Sequence, residues 1–484
     1  NGIYRAKRAV PRAQAAQKNV GRSGFVMRED YRNAVDRIAL TDGKKAALYH
    51  QIRLTATPHK NPDAKGRMRW GKRKLVWMAA AALSLVLVAA ITINSIPVAA
   101  AIATPSYPSE EETAYAMADD GYLDALRRFS YQTAGKVERG ADGNTVYSPY
   151  SMSVVLSMLA QCTDGETREE ILHAFGLDTL AQLSEGTAGL YRLLYRDTEE
   201  YLCRSVQSVW LDSSLSYNQD VLQSLAEDEY AYSYRMPFED GRAASAVSDW
   251  FSENMKNSRN ISVPFIPGNK LMFASGFAFR SVWEEIFIKE QTYEGVFSGT
   301  SITGNCEYMN KVAAAVPYLQ TEKATASLIG LSGGSSLILI LPQEGKELDD
   351  ILSDGALLQD IVSRTLHAEK TSVEFSIPKV SFEETIDISS VFGQMGIVSA
   401  FDETKADFSA LSSDTGVFAG QIAESAVLDL NENIETAIGE KAYGSSSGSM
   451  YSLHLNRPFC FIIVSQNEIP LMIGAVENVM QLEE

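Results

Sequence analysis

VYSPYSMSVVLSMLAQCTDGETREEIL, residues 146–172, is the stretch that most constrains the fold class. A Ser-Pro-Tyr-Ser turn at Ser148–Ser151 leads into a run to Cys162 whose apolar residues fall at helical spacing. Asp164-Gly165 interrupts that run. Thr167-x-x-Glu170 then gives a capping signature for a second helix over Thr167–Leu177, which ends at Gly176. Working outward, Tyr122–Phe129 and Arg242–Met255 also read as amphipathic helices. Strand-like runs are Ser205–Asp212, Lys270–Phe279, Ser336–Pro342, Thr371–Phe382 and Phe459–Gln466. These elements neither alternate strictly nor repeat at a fixed period, so an α+β fold is expected and a barrel or solenoid is not.

No local signature demands catalysis. GLSGG (Gly330–Gly334) and GSSSG (Gly444–Gly448) match the nucleophile-elbow pattern literally. An elbow needs a strand before the serine and a helix after it. Ser332 instead precedes the strand-like Ser336–Pro342, and Ser446 sits in a glycine/serine loop. The five histidines (His50, His59, His173, His367 and His454) form no HExxH motif, and no phosphate- or dinucleotide-binding glycine pattern occurs. Cys162, Cys203, Cys306 and Cys460 show no CxxC spacing and read as isolated buried thiols. Neither a metal nor a cofactor is expected.

Five segments in order carry a family resemblance over residues 116–484. Val146–Leu172 resembles the serpin segment in which an SPxS turn opens the second helix. Ser275–Phe287 is similar to the strand whose tryptophan, here Trp283, packs at the top of the main sheet. Ala406–Ser412 is similar to the turn before the strand that leads to the reactive loop, and Ala426–Ala437 to that strand's end and the loop hinge. Asn456–Asn478 resembles the closing pair of buried strands.

The resemblance implies a serpin fold: a large, mostly antiparallel central sheet, further sheets, eight or nine helices and an exposed reactive loop. It also implies a suicide-substrate inhibitor of serine-type endopeptidases, not an enzyme. A protease cleaves the loop, the loop inserts as an extra strand, and the acylated protease is trapped; this insertion is the family's established example of strand addition. A sheet-opening cluster of Ser148, Ser151, Ser275, Glu424 and Trp283 is expected, with Ser275 and Glu424 standing where the family usually has Asn and His.

The hinge falls on Glu432, Asn433, Ile434, Glu435, Thr436 and Ala437. Ile434 replaces the usual glycine, and Glu435 a small buried residue. Alternation along an inserting strand would turn Glu435, Ala437, Gly439 and Lys441 inward. A one-residue slip would bury Ile434, Thr436 and Ile438 instead. Counting from both ends puts the scissile bond within Ser447, Gly448, Ser449, Met450 and Tyr451, near Ser447–Gly448. Small residues there suit an elastase- or subtilisin-like protease, Met450 or Tyr451 a chymotrypsin-like one. A cysteine protease is a further candidate, and the lack of Arg or Lys argues against a trypsin-like target. Ile434 and Glu435 keep open a non-inhibitory serpin acting as an extracellular binding or surface protein. A surface hydrolase is the reading from another class.

The 484-residue chain carries a net charge of −18, unevenly spread. Residues 1–74 hold 19 Lys/Arg against 5 Asp/Glu, and the remainder 24 against 56. An acidic body repels phosphate, so nucleic acid is not an expected partner. Residues 75–109 contain no charge, and Leu75–Ile93 would span about 28 Å as a helix. The preceding Lys65–Lys74 segment is strongly basic, which keeps such a flank cytoplasmic. The organisation expected is thus a basic cytoplasmic segment with short helices (1–74), a transmembrane anchor or signal segment (75–103), a linker (104–115) and the serpin domain (116–484). The whole reads as a membrane-anchored, bacterial-type serpin with its monomeric domain outside the cell. The rival is a secreted protein, because Pro97–Ala103 offers small-x-small cleavage sites.

Overall fold

The computed structural model describes residues 98–198, 201–255, 263, 269–432 and 450–479. All of them belong to one compact unit, Ser95–Glu484. In chain order its elements are β1 (Ala100–Ala103), α1 (Glu110–Ala114), α2 (Asp120–Thr133), β2 (Thr145–Tyr147), α3 (Pro149–Cys162), α4 (Gly165–Phe175), α5 (Leu180–Leu194), β3 (Arg196–Asp197), β4 (Leu202–Asp212), α6 (Gln219–Asp228), β5 (Ala231–Met236), α7 (Ala243–Asn254) and β6 (Leu271–Arg280). There follow β7 (Tyr293–Ser298), β8 (Thr303–Gln320), β9 (Ala324–Gly330), β10 (Ser336–Pro342), α8 (Asp349–Leu352), α9 (Gly355–Leu366), β11 (Lys370–Pro378), β12 (Val380–Asp387), α10 (Ser389–Gln394), β13 (Gln421–Leu430), β14 (Met450–His454), β15 (Phe459–Val464) and β16 (Pro470–Val476).

The main sheet runs β1-β5-β4-β6-β13-β12, with β3 added on β4. Most of its pairs are antiparallel, but β4–β5 and β6–β13 are parallel. The second sheet runs β14-β11-β8-β9-β10-β15-β16-β2. The 18-residue β8 ties it together: its Tyr308–Pro317 stretch pairs with β11, and Tyr318–Gln320 with β9.

The helix α3 explains why residues 146–172 are so constraining. Ser148 is its N-cap, accepting from the Ser151 N–H, and Pro149 sits in the first turn, where its missing N–H is harmless. Nearly every α3 side chain is buried, so the helix is core on all sides. It packs against β6 of the main sheet and β16 of the second sheet, both flanked by strands on either side. The β6 strand reads as an apolar run because both its faces are covered. Phe273, Phe277 and Phe279 join the core on the α3 side, while Met272 and Ala274 pack with Trp250, Phe251 and Met255 of the α7 region.

Several local expectations shift. The second helix starts at Gly165, capped by Asp164 rather than Thr167. The Thr167 hydroxyl instead accepts from the Asp407 N–H, and Glu170 binds the Val398 and Ser399 N–H groups. The helix ends as read, at Gly176 in the left-handed conformation (φ 83°). Thr371–Phe382 is two strands: the β8 ladder continues through the Lys379 N–H, which bonds the Glu307 carbonyl of β8, and from Val380 the chain crosses to pair with β13 in the main sheet. All four cysteines are free and buried.

The N-terminal boundary moves as well. Ala100–Ala103, assigned to the anchor, is the edge strand β1, paired antiparallel with β5. Residues 104–115, expected as a spacer, are docked: Tyr107 stacks on Tyr195 at 5.5 Å beneath the Arg204 guanidinium, and Ser109 and Glu112 form a capping box at α1. Among the described residues no helix is long and apolar enough to cross a membrane. The cytoplasmic segment and the apolar run to residue 97 lie outside the described residues.

Candidate functional site

The seam between β6 and β13 is where the expected polar cluster assembles. The two strands lie parallel and directly paired from Gln421↔Met272 to Val427↔Ala278, which sets Glu424 opposite Ser275. The α3 N-terminus abuts this seam. The Ser148 N–H donates to Glu424 Oε1 (3.1 Å), and its hydroxyl donates to the Leu471 carbonyl of β16 (2.6 Å). The Ser151 and Ser275 hydroxyls share a 2.8 Å hydrogen bond. All four side chains are buried. The structure therefore brings Ser148, Ser151, Ser275 and Glu424 together, in two adjoining hydrogen-bonded groups.

Glu424 differs from a histidine at this position in one important way. Burial, aided by the neighbouring Glu384 carboxyl of β12, outweighs the pull of the Ser148 N–H and raises its carboxyl to about 8. Its Oε2 has no hydrogen-bond partner among the described residues. A buried carboxylate left without a cation is costly, so the neutral acid is the form that fits this pocket.

Trp283 stands elsewhere, at the exit of β13. It is 5% exposed, its indole N–H donates to the Asn431 carbonyl (3.0 Å), and its ring meets Phe287 edge-on at 4.9 Å. It thus fixes the residue just before the hinge rather than the serine cluster.

One residue on, a second clasp holds the chain. The Glu432 carboxylate ion-pairs with Lys379 (2.9 Å) and accepts from the Thr292 hydroxyl; Lys379 also reaches Glu307 (2.9 Å). The Lys379 and Glu432 side chains are 15% and 4% exposed. Burial alone would raise the Glu432 carboxyl, but the Thr292 hydroxyl and the Lys379 ammonium outweigh it and hold it below its usual range. Sequence reasoning missed Lys379, Thr292 and Glu307, which carry no motif and come from three separate segments. The hinge residues Asn433, Ile434, Glu435, Thr436 and Ala437, and the bait residues Ser447, Gly448 and Ser449, lie outside the described residues.

The chain re-enters the structure in a strand. Met450 and Tyr451 open β14, paired in parallel with Ser372 and Val373 of β11. The Tyr451 ring stacks on Tyr318 at 4.5 Å. As for the elbow motifs, Ser332 lies in a tight turn between β9 and β10, with Gly333 and Gly334 at positive φ; Gly444–Gly448 lies outside the described residues. Among the described residues no group of three or more His, Cys, Asp or Glu side chains is placed to hold a metal.

Comparison with known proteins gives the same reading. A family profile described as "Serpin (serine protease inhibitor)" matches residues 124–479. The horse protein "Alpha-1-antiproteinase 2" is 24% identical over 350 residues, covering 70% of this chain and 82% of its own. Human "Corticosteroid-binding globulin" is 25% identical over 338 residues, covering 66% and 80%. Among solved structures, the thermophilic serpin tengpin in its native state matches with a TM-score of 0.69 at 22% identity, covering 79% of this chain and all of its own. Human thyroxine-binding globulin matches with a TM-score of 0.66 at 20% identity, covering 74% and 98%. A seam of two parallel strands running into a long connection, closed over a capped core helix, and a profile match across most of the chain lead to one conclusion: this chain belongs to the serpin family.

Proposed function

We propose that this serpin inhibits serine proteases by taking its own cleaved segment into the seam between β6 and β13. The observation that carries this is the parallel pairing of the two strands. A segment that leaves the end of β13 and folds back would lie antiparallel to both, replacing one parallel ladder with two antiparallel ones. Antiparallel pairing is slightly the more stable per residue. Roughly ten additional strand hydrogen bonds at about 1 kcal/mol net each would drive insertion. Burying Glu435 would cost several kcal/mol against that, so insertion stays downhill but slows at its first step.

The pairing of Met450 and Tyr451 with β11 supports a bait bond before β14, at Ser447–Gly448 or Gly448–Ser449. The residue entering the protease is then small, which favours elastase- or subtilisin-like targets over chymotrypsin-like ones. The charge-free run before residue 98 and its basic flank support a protein tethered to a membrane with this domain outside.

The test is incubation of the full chain with elastase, subtilisin and chymotrypsin, followed by denaturing gels. A covalent complex with the first two is the expected result; complete loop cleavage with no complex would overturn it. Ile434 and Glu435, together with similar proteins named corticosteroid-binding and thyroxine-binding globulin, favour one second reading, a non-inhibitory binding protein. That reading predicts cleavage without a complex and no gain in heat resistance.

A further inference from the structure

We propose that Glu424 is a proton-operated latch on the β6–β13 seam: protonated, it keeps the seam shut, and opening the seam releases its proton to water. The proposal rests on the reading that this seam admits the cleaved segment. Its ground is the placement of one carboxyl. Glu424 lies mid-strand on β13, in register with Ser275 of β6, at 0% exposure. The groups that act on it directly are uncharged or a like charge; the cation Arg139 acts on Glu384 instead. From β6 comes the Ser275 hydroxyl, already engaged with Ser151, and from α3 the Ser148 N–H, bound to Oε1. From β12 comes Glu384, whose Oε2 accepts from the Val146 N–H, with Asp142 and Arg139 beyond it. From β2 comes Tyr147, itself buried and bonded to Thr133. Oε2 of Glu424 is left without a partner among the described residues.

This arrangement tolerates a neutral acid and penalises an anion, whereas an opened seam admits water to the same oxygen. The closed-state value of about 8 lies above the ordinary 4.5 of an exposed glutamate. The sign follows. A group whose value is raised in the closed state retains a proton there that the open state has lost, so closure is strongest in acid. It weakens as pH rises from about 4.5 to about 8 and is constant above that. A single proton can change the open-to-closed ratio by at most about tenfold per pH unit across that window.

Amide hydrogen exchange of the full chain, read on peptides from β13 and β6 and corrected for intrinsic exchange, tests this without any protease. In wild type, seam protection should fall with rising pH, by up to about tenfold per unit. Glu424→Gln, which keeps the shape and the Ser148 bond, should flatten the profile. Glu229→Gln is the control: Glu229 is also buried and pushed up to about 8, but its partners are Ser157 and Gln161 at the other end of α3, so it should leave the seam profile unchanged. A wild-type profile that is already flat overturns the proposal even if the variant does not fold. So does a Glu424→Gln profile that falls like wild type. Failure of the inhibitor reading looks different: no covalent complex at any pH, whatever the exchange shows.

Discussion

Removing Lys379 should loosen the hinge more than removing its partner Glu432. The asymmetry comes from the third member of the clasp. Lys379→Ala leaves two carboxylates without their cation, one of them only 4% exposed. Glu432→Gln leaves Lys379 still paired with Glu307, which is 59% exposed, and an amide oxygen can still accept from Thr292. Breaking a fully buried pair from one side costs about 3–5 kcal/mol. Glu307 opens this pair to water, and Thr292 still satisfies Glu432, so about 2 kcal/mol is expected for Lys379→Ala. For Glu432→Gln the loss is about 1 kcal/mol, one charge-assisted bond exchanged for a neutral one. The double variant should cost less than the sum of the two. The assay is equilibrium urea unfolding of the full chain, read at the first transition. The effect also carries a pH signature. Because the folded value of Glu432 is depressed, its contribution is fully present above the unfolded value of about 4.5 and is lost as pH falls through the folded one. Wild type and Lys379→Ala should therefore converge in acid. Equal losses for the two single variants, or a larger one for Glu432→Gln, would refute the argument that Lys379 serves two carboxylates.

Glu435→Thr should raise the share of protease trapped rather than released, by about tenfold for each 1.4 kcal/mol removed from the first insertion step; gel densitometry of complex against cleaved chain measures it. Gly474→Ala should destabilise the core by about 1–3 kcal/mol, because a Cβ there would meet the buried Phe461 ring at 2.0 Å; a shift in thermal midpoint reports it. A chain beginning at Thr104 should be less stable than one beginning at Ser95 by about 2–3 kcal/mol, from the lost β1–β5 ladder. It should also aggregate more readily, since the β5 edge is uncovered; light scattering on the two lengths compares them.

Much of the scaffold was legible from local pattern. The capped, apolar Ser148–Cys162 segment could only be a buried helix start. Ser336–Pro342 and the Phe459 run had the composition of central strands, and they form the adjacent interior strands β10 and β15. The proximity of Ser148, Ser151, Ser275 and Glu424 was an expectation from the serpin resemblance. Thr371–Phe382, by contrast, reads as one strand, because nothing in its pattern shows that the chain crosses after Lys379 from the β8 ladder to pair with β13 in another sheet. Ala100–Ala103 was assigned to a membrane segment for a similar reason. A run of alanine and isoleucine suits lipid and an edge strand equally, and only the open edge of β5 selects between them.

By itself, then, the sequence determined the main helices and strands, because periodicity and capping are short-range properties written within one or two turns of chain; the family and the residues expected at the seam came from the resemblance of five separated segments to serpins. Tertiary structure alone decided the clasp of Lys379 on Glu432, the post of Trp283 at Asn431 and the protonation of Glu424. Those depend on which groups from distant segments surround a charge and on how much water is excluded from it, and neither quantity exists until the sheets have closed around α3.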